Sequence, residues 1–347
     1  MNSSIVFIIG AGASKEANLP TGQELKKKIS SLLDIRFKDF EDELVSGDRK
    51  IMEAFRLYVQ QSETASKDIN PYLRESWHIR DALPQAISID NFLDNQRNNE
   101  KINLCGKLAI IRAILEAEGQ SLLYFRKDGQ MMSFSDLSET WYIPFFQLLT
   151  ENCIKDSLKE RFKSVTLIIF NYDRCVEYFL YYAIQNYYRL QQNEAAELMK
   201  AFNIYHPYGD VGTLPWGIGG EMEIDFGLDP NPLQLLNLAN KIKTFTEGTD
   251  PTLSKILKIR EQVRAADKLI FMGFAFHKLN MKLIKPSLDG RNKVTECFAT
   301  AFKTSPSDKD IIREQIRDLY GSSSPIIRIS DSSCSTFFKD FWRSLSY

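Results

Sequence analysis

Four short clusters in this chain carry residue types that could do chemistry. Gly10-Ala11-Gly12-Ala13-Ser14 follows an apolar run. Glycines at the end of a buried strand let the backbone turn tightly and approach a phosphate, so the cluster suits a pyrophosphate. It is not a complete G-x-G-x-x-G fingerprint, because the sixth position is Lys15, and a plain strand-to-helix turn is the alternative. Asn171-Tyr172-Asp173, His206-Pro207-Tyr208-Gly209 and Gly273-Phe274 each follow a further apolar run. Ligands of open α/β sheets gather beyond the carboxyl ends of the strands, so Asn171, Asp173 and His206 are candidates to converge on whatever the glycine turn holds. Asp173 suits equally well the capping of the next helix. His206 is one of three histidines, with His78 and His277, and such a residue is as readily a structural hydrogen-bonding group. Tyr172 and Phe274 either face a ligand or fill the core, the core being favoured. Asp34 lies about 20 residues beyond the turn but ends a helix, not a second strand, and is not assigned to a ribose.

The elements that must position these clusters follow from periodicity. Residues 4 to 9 form a β-branched run stopping at Gly10, the pattern of a strand buried on both faces. Leu25, Ile29, Leu32 and Leu33 recur at helical spacing through Gly22 to Asp34. Strand character returns at Val165 to Phe170, Asn203 to Tyr205, Lys268 to Met272, Val294 to Ala299 and Pro325 to Ile329. Helices are expected at Tyr172 to Leu190, Leu253 to Ala265, Asp308 to Leu319 and Thr336 to Leu345. The alternation predicts an α/β fold, a doubly wound, mostly parallel Rossmann-like sheet. Between about Phe37 and Arg161 the strand signal disappears, and Leu104, Leu108, Ile111 and Leu115 recur at helical spacing. This predicts a helical insertion (37–161) after the first βα unit, the α/β domain comprising 1–36 and 162–347. Pro71, Pro84 and Pro144 mark breaks in the insertion, and Asp94 to Lys101 reads as a solvated helix face or a loop.

Composition excludes several classes. The 347 residues include 44 Lys plus Arg against 45 Asp plus Glu, so no basic field draws nucleic acid to the chain. Lys26-Lys27-Lys28 is the one notable basic run and reads as a solvated face. Hydrophobic residues at 44% exclude a disordered chain. The five cysteines are scattered, with no Cys-x-x-Cys pair, which argues against a disulfide framework or a zinc ribbon. No run approaches the ~18 apolar residues of a membrane span, and residues 5 to 9 are too short for a signal core. A cytoplasmic, reduced location is expected.

Taken together, Gly10 to Ser14, Pro20, Phe170-Asn171-Tyr172-Asp173, His206 and Gly273-Phe274 resemble the sirtuin superfamily in order and placement. The chain lacks the paired Cys-x-x-Cys zinc module of the deacylating members, so no zinc is expected. It carries Pro20-Thr21-Gly22-Gln23 where they have Pro-Asp-Phe-Arg, and Phe170 where they have glutamine. Ser14 to Gly22, Asn171-Tyr172-Asp173, Gly273-Phe274 and Ser88-Ile89-Asp90-Asn91-Phe92-Leu93 look more like the sirtuin-like NAD hydrolases of bacterial antiphage defence. This resemblance implies hydrolysis of NAD+ to nicotinamide and ADP-ribose, depleting the cofactor of an infected cell. It implies that Gly10, Ala11, Gly12, Ala13, Ser14, Pro20, Asp173, Gly273 and Phe274 hold NAD+. Asn171 would orient the ribose or the water, and His206 would act as general base. A homo-oligomer is implied, with a separate activator such as a HerA-like ring ATPase. The alternatives are a catalytically silent NAD or ADP-ribose sensor or scaffold, and an NAD-dependent deacylase or ADP-ribosyltransferase.

Overall fold

The structure is a computed structural model that describes residues 4–38, 43–62, 67–126, 128, 130–217, 222–248, 254–287, 293–320 and 325–346. Its strands are β1 (Ile5–Ile9), β2 (Arg36–Phe37), β3 (Leu44–Ser46), β4 (Val165–Ile169), β5 (Asn203–Tyr205), β6 (Lys268–Met272), β7 (Glu296–Thr300) and β8 (Ile326–Ser330). Six of them form one sheet in the order β5-β4-β1-β6-β7-β8, every pairing parallel. The architecture is the expected doubly wound, Rossmann-like α/β fold. From β1 the chain builds outward to β4 and β5 on one side, then crosses to build β6, β7 and β8 on the other. β1 therefore borders the point where the winding reverses, the usual site of a ligand crevice.

All five residues of β1 are buried, as a central strand covered on both faces requires. Side chains alternate between the faces. Val6 and Ile8 join a core with helices Gly22–Leu33, Arg49–Gln61, Asn70–Ala82, Glu100–Gly119, Pro232–Ala239 and Ser254–Ala265. Ile5, Phe7 and Ile9 join another with Tyr142–Thr150, Cys175–Tyr188 and Cys334–Leu345. The chain between β1 and β4 thus contributes to both faces, and Phe145 of its helix Tyr142–Thr150 meets Phe7 edge-on at 5.1 Å.

Several local expectations are refined. The segment between β1 and β4 also contains a small antiparallel ribbon, β2 with β3. Pro71, Pro84 and Pro144 each stand in the first turn of a helical segment, where a missing N–H leaves no acceptor unsatisfied. Asp94 to Lys101 spans the end of helix Ile89–Asn95 and the start of Glu100–Gly119, where the Asn99 side chain accepts from the N–H groups of Lys101 and Ile102. The basic run is not simply solvated. Lys26 is buried with its ammonium on the Ala86 carbonyl, and Lys28 pairs with Glu116. No helix among the described residues is long and apolar enough to cross a membrane.

Candidate functional site

A cavity of about 840 Å³ opens at the carboxyl edge of the sheet. Its wall includes Gly10 after β1, Asn171 after β4, Gly273 and Phe274 after β6, Thr300 at the end of β7 and Ser332 after β8. Five strand ends therefore meet at one space, as the clusters at three of them predict. Helix starts meet there too. The twelve-residue helices Gly22–Leu33 and Cys334–Leu345 begin at wall residues Thr21, Gly22, Ser333 and Cys334. Three shorter helices, Ala11–Ser14, Ile89–Asn95 and Lys278–Ile284, begin at Gly10, Ser88 and His277, which also line the wall. Helix starts present unpaired N–H groups and positive partial charge, the setting that favours phosphate.

The glycine turn is shaped first by its own packing. The Gly10 N–H donates to the Met272 carbonyl and the Gly12 N–H to the Gly273 carbonyl, at 2.9 and 3.0 Å. A Cβ on Gly12 would lie 2.9 Å from the Gly273 backbone. Gly273 itself has φ +55, and a Cβ there would come within 2.0 Å of the Ala13 nitrogen. Bulk at Gly12 therefore strains the contact between two strand ends before it reaches any ligand, which makes it a poor probe of phosphate binding. Ala13 is buried, its carbonyl accepting from the Trp141 indole N–H at 2.9 Å.

Asn171, Ser14 and Asp173 form one buried relay. The Asn171 Nδ2 donates to Ser14 Oγ at 2.8 Å, and Ser14 Oγ donates to Asp173 Oδ2 at 2.9 Å. Asp173 Oδ1 accepts from the Cys175 N–H at 3.2 Å. Asp173, one residue before the N-cap Arg174, thus accepts from the first N–H of helix Cys175–Tyr188 and also holds Ser14. Burial raises its pKa above the usual carboxylate range, although these hydrogen bonds favour the anion. The relay fixes the Asn171 amide with its nitrogen inward. Its Oδ1 makes no hydrogen bond among the described residues, and Asn171 lines the cavity. The cavity wall thus carries an acceptor that the protein itself does not use.

The remaining expected residues divide. Gly10, Ala11, Gly12, Asn171, Gly273 and Phe274 line the cavity, whereas Ala13, Ser14, Pro20, Asp173 and His206 lie outside the lining. Pro20 precedes the Thr21–Glu24 capping box that starts helix Gly22–Leu33. Phe274 also belongs to the core, 5.1 Å from the Phe170 ring.

His206 is 5% exposed, with Nδ1 3.0 Å from the Asn171 carbonyl oxygen and Nε2 2.6 Å from Glu177 Oε1. Burial alone would lower its pKa, but the Glu177 carboxylate, with Asp210 and the Asn171 carbonyl, raises it to about 9. Protonated, both ring N–H groups donate to these acceptors, leaving no nitrogen free to take a proton. A raised histidine pKa stabilises the fold fully below its ordinary value near ~6.5, and the contribution fades as pH climbs through the folded value. Unfolding free energy should accordingly fall between these limits by up to about 3 kcal/mol. His206→Gln should flatten that fall, as denaturant titrations at a series of pH values will measure. An unaltered pH slope in the variant would refute the ion pair.

Sequence reasoning leaves several wall residues unassigned, among them Asp90, Tyr208, His277 and Asn280. The Tyr172 hydroxyl donates to Asp90 Oδ1, and the Tyr208 hydroxyl to Asn280 Oδ1. Ser88 to Leu93 is the sequence signal that pointed to the first of these. Behind the site, Arg174 and Glu118 form an ion pair at 2.5 Å with both side chains buried. Arg174 also donates to the carbonyls of Gly212, Ile224 and Asp225, binding the stretch after β5 to helix Glu100–Gly119. Comparison with known proteins finds no family model that matches the chain and no similar curated protein.

Proposed function

We propose that the protein hydrolyses NAD+ at its N-glycosidic bond, releasing nicotinamide and ADP-ribose, in the manner of the sirtuin-like NAD hydrolases its motifs resemble. The observation that carries this reading is a cavity of about 840 Å³, within the usual range of ligand pockets. It is bordered by a glycine turn and helix starts that suit phosphates, with the Asn171 amide held at its wall.

The chemistry asks little of acid and base groups. The departing ring is a pyridinium and leaves as neutral nicotinamide without being protonated, while positive charge moves to the ribose as in other oxocarbenium-like glycoside cleavages. Water adds to that carbon and one proton is released, giving ADP-ribose. The protein must hold the ribose, place the water and tolerate the charge. Asn171 Oδ1 takes the placing role. His206 serves as a positioning residue, its Nδ1 on the Asn171 carbonyl fixing the backbone that carries the amide.

In a cell this activity would deplete NAD as the effector of an antiphage defence system. A homo-oligomeric assembly and a separate activator, such as a HerA-like ATPase subunit, are part of the same proposal, as is a cytoplasmic location. One observation favours a second reading, a silent sensor of NAD or ADP-ribose: both nitrogens of His206 are engaged within the protein.

The deciding experiment incubates the purified protein with NAD+, follows nicotinamide and ADP-ribose by chromatography, and measures ADP-ribose binding by calorimetry in parallel. Equimolar release of the two products is expected. Binding without release would select the sensor, and absence of both would refute a dinucleotide site.

A further inference from the structure

We propose that Asp90 recognises the positive charge of the oxidised nicotinamide ring, so that the cavity takes NAD+ in preference to NADH. This rests on the dinucleotide reading above and adds to it a residue and a selectivity.

Among the described residues, the cavity wall carries two carboxylates, Glu16 and Asp90. Both oxygens of Glu16 are engaged by the protein, Oε2 accepting from the Trp141 N–H at 2.7 Å and Oε1 from the Ser335 N–H at 3.0 Å. Glu16 therefore joins the glycine turn to two helices and is not free for a ligand. Asp90 is different. Its Oδ1 accepts from the Tyr172 hydroxyl, and among the described residues it has no ion pair and no other side-chain hydrogen bond. The groups facing it are the Tyr172 and Tyr208 phenols and, from the start of helix Lys278–Ile284, His277.

Asp90 is half-buried with no ion-paired partner among the described residues, and burial raises its pKa even though the Tyr172 hydroxyl and the neighbouring His277 favour the anion. A bound cation would relieve that desolvation. Such a cation must belong to a ligand that also satisfies the helix starts, so it must carry both phosphate and fixed positive charge. NAD+ is such a molecule. Its pyridinium is cationic, while the dihydropyridine of NADH and the free ribose of ADP-ribose are not. Asp90 and Asn171 line the same cavity, and Tyr172, whose hydroxyl holds Asp90, directly follows Asn171 in the chain. The second position of helix Ile89–Asn95 explains an acidic residue there, but not one placed on a cavity wall.

The test measures calorimetric affinities of the full chain for three probes. These are carba-NAD+, whose methylene in place of the ribose ring oxygen prevents cleavage, NADH, and ADP-ribose. Wild type should bind carba-NAD+ at least about tenfold more tightly than NADH. Asp90→Asn should shrink that ratio to within about threefold while ADP-ribose affinity moves by less than about threefold. A second variant, Asp90→Ser, carries the same expectation should the first fold poorly. A wild type that binds ADP-ribose yet does not distinguish carba-NAD+ from NADH would overturn the role of Asp90 alone. So would folded variants that keep the full preference. Failure of wild type to bind any of the three probes would remove the dinucleotide reading and this inference with it.

Discussion

Asn171→Ala is expected to lower nicotinamide release by about 10²- to 10³-fold, the range typical when one oriented polar group is removed from a preorganised site. The amide nitrogen is tied through Ser14 to Asp173, so Oδ1 is held at the cavity wall before any ligand arrives. Alanine removes that acceptor and leaves the water and ribose to align by chance, a loss that falls on kcat. The contact between the His206 ring and the residue 171 carbonyl uses backbone and survives the substitution. ADP-ribose affinity should change by less than about fivefold, because the proposed binding mode holds the pyrophosphate at the turn and helix starts. Turnover within about threefold of wild type would remove Asn171 from the mechanism. Loss of ADP-ribose binding alongside turnover would instead make it a binding group.

The largest effect on stability is expected at Arg174. Its guanidinium donates to both Glu118 oxygens and to three backbone carbonyls, and the Glu118 carboxylate also accepts from the Gly227 N–H. A buried pair with every donor satisfied is roughly neutral against an apolar replacement of both partners, but removing one partner strands the other charge. Arg174→Ala should therefore lower unfolding free energy by about 3–5 kcal/mol, whereas the double change Arg174→Met with Glu118→Leu should recover much of it. Urea or guanidinium melts of the three proteins measure this. Equal losses in single and double variants would show that the carbonyl contacts, not the stranded charge, dominate. Arg174 directly follows the Asn171-Tyr172-Asp173 turn, so the single variant should also loosen the site.

Much of the frame is legible in the sequence because a central parallel strand is covered on both faces and so is mostly apolar. Ile5 to Ile9, Val165 to Ile169 and Lys268 to Met272 stand out as short, mostly apolar runs, and the residues after them mark strand ends. β2 and β3 escape that reading because two and three residues are too few for alternation to register. The proximity of Asn171, Asp173 and the glycine turn follows from the rule that strand ends share a crevice, which holds whatever the intervening sequence. The surroundings of His206 do not follow from any such rule. Glu177 lies 29 residues away on a helix whose pattern reveals a buried face but not which acid turns toward β5. The element Ser88 to Leu93 is visible in the sequence, but the partner of Asp90 is not, since Tyr172 is 82 residues further along the chain. Glu118, in a segment read only as helical from its apolar spacing, gives no sign that its carboxylate is buried until Arg174 is seen against it.

The central position of β1 also bears on how the molecule is made. Ser4, at the base of that strand, is joined to Asp267 across 263 residues, and the glycine turn is closed by Met272 and Gly273. Synthesis at roughly 5–20 residues per second leaves β1 waiting tens of seconds for its second neighbour. Until β4 emerges a five-residue run of isoleucine, valine and phenylalanine has both edges open to pairing with other chains, and one edge stays open until β6 follows. Chaperone demand should therefore be highest before β6 emerges, and the cavity at the carboxyl edge of the sheet is among the last features of the nascent protein to form.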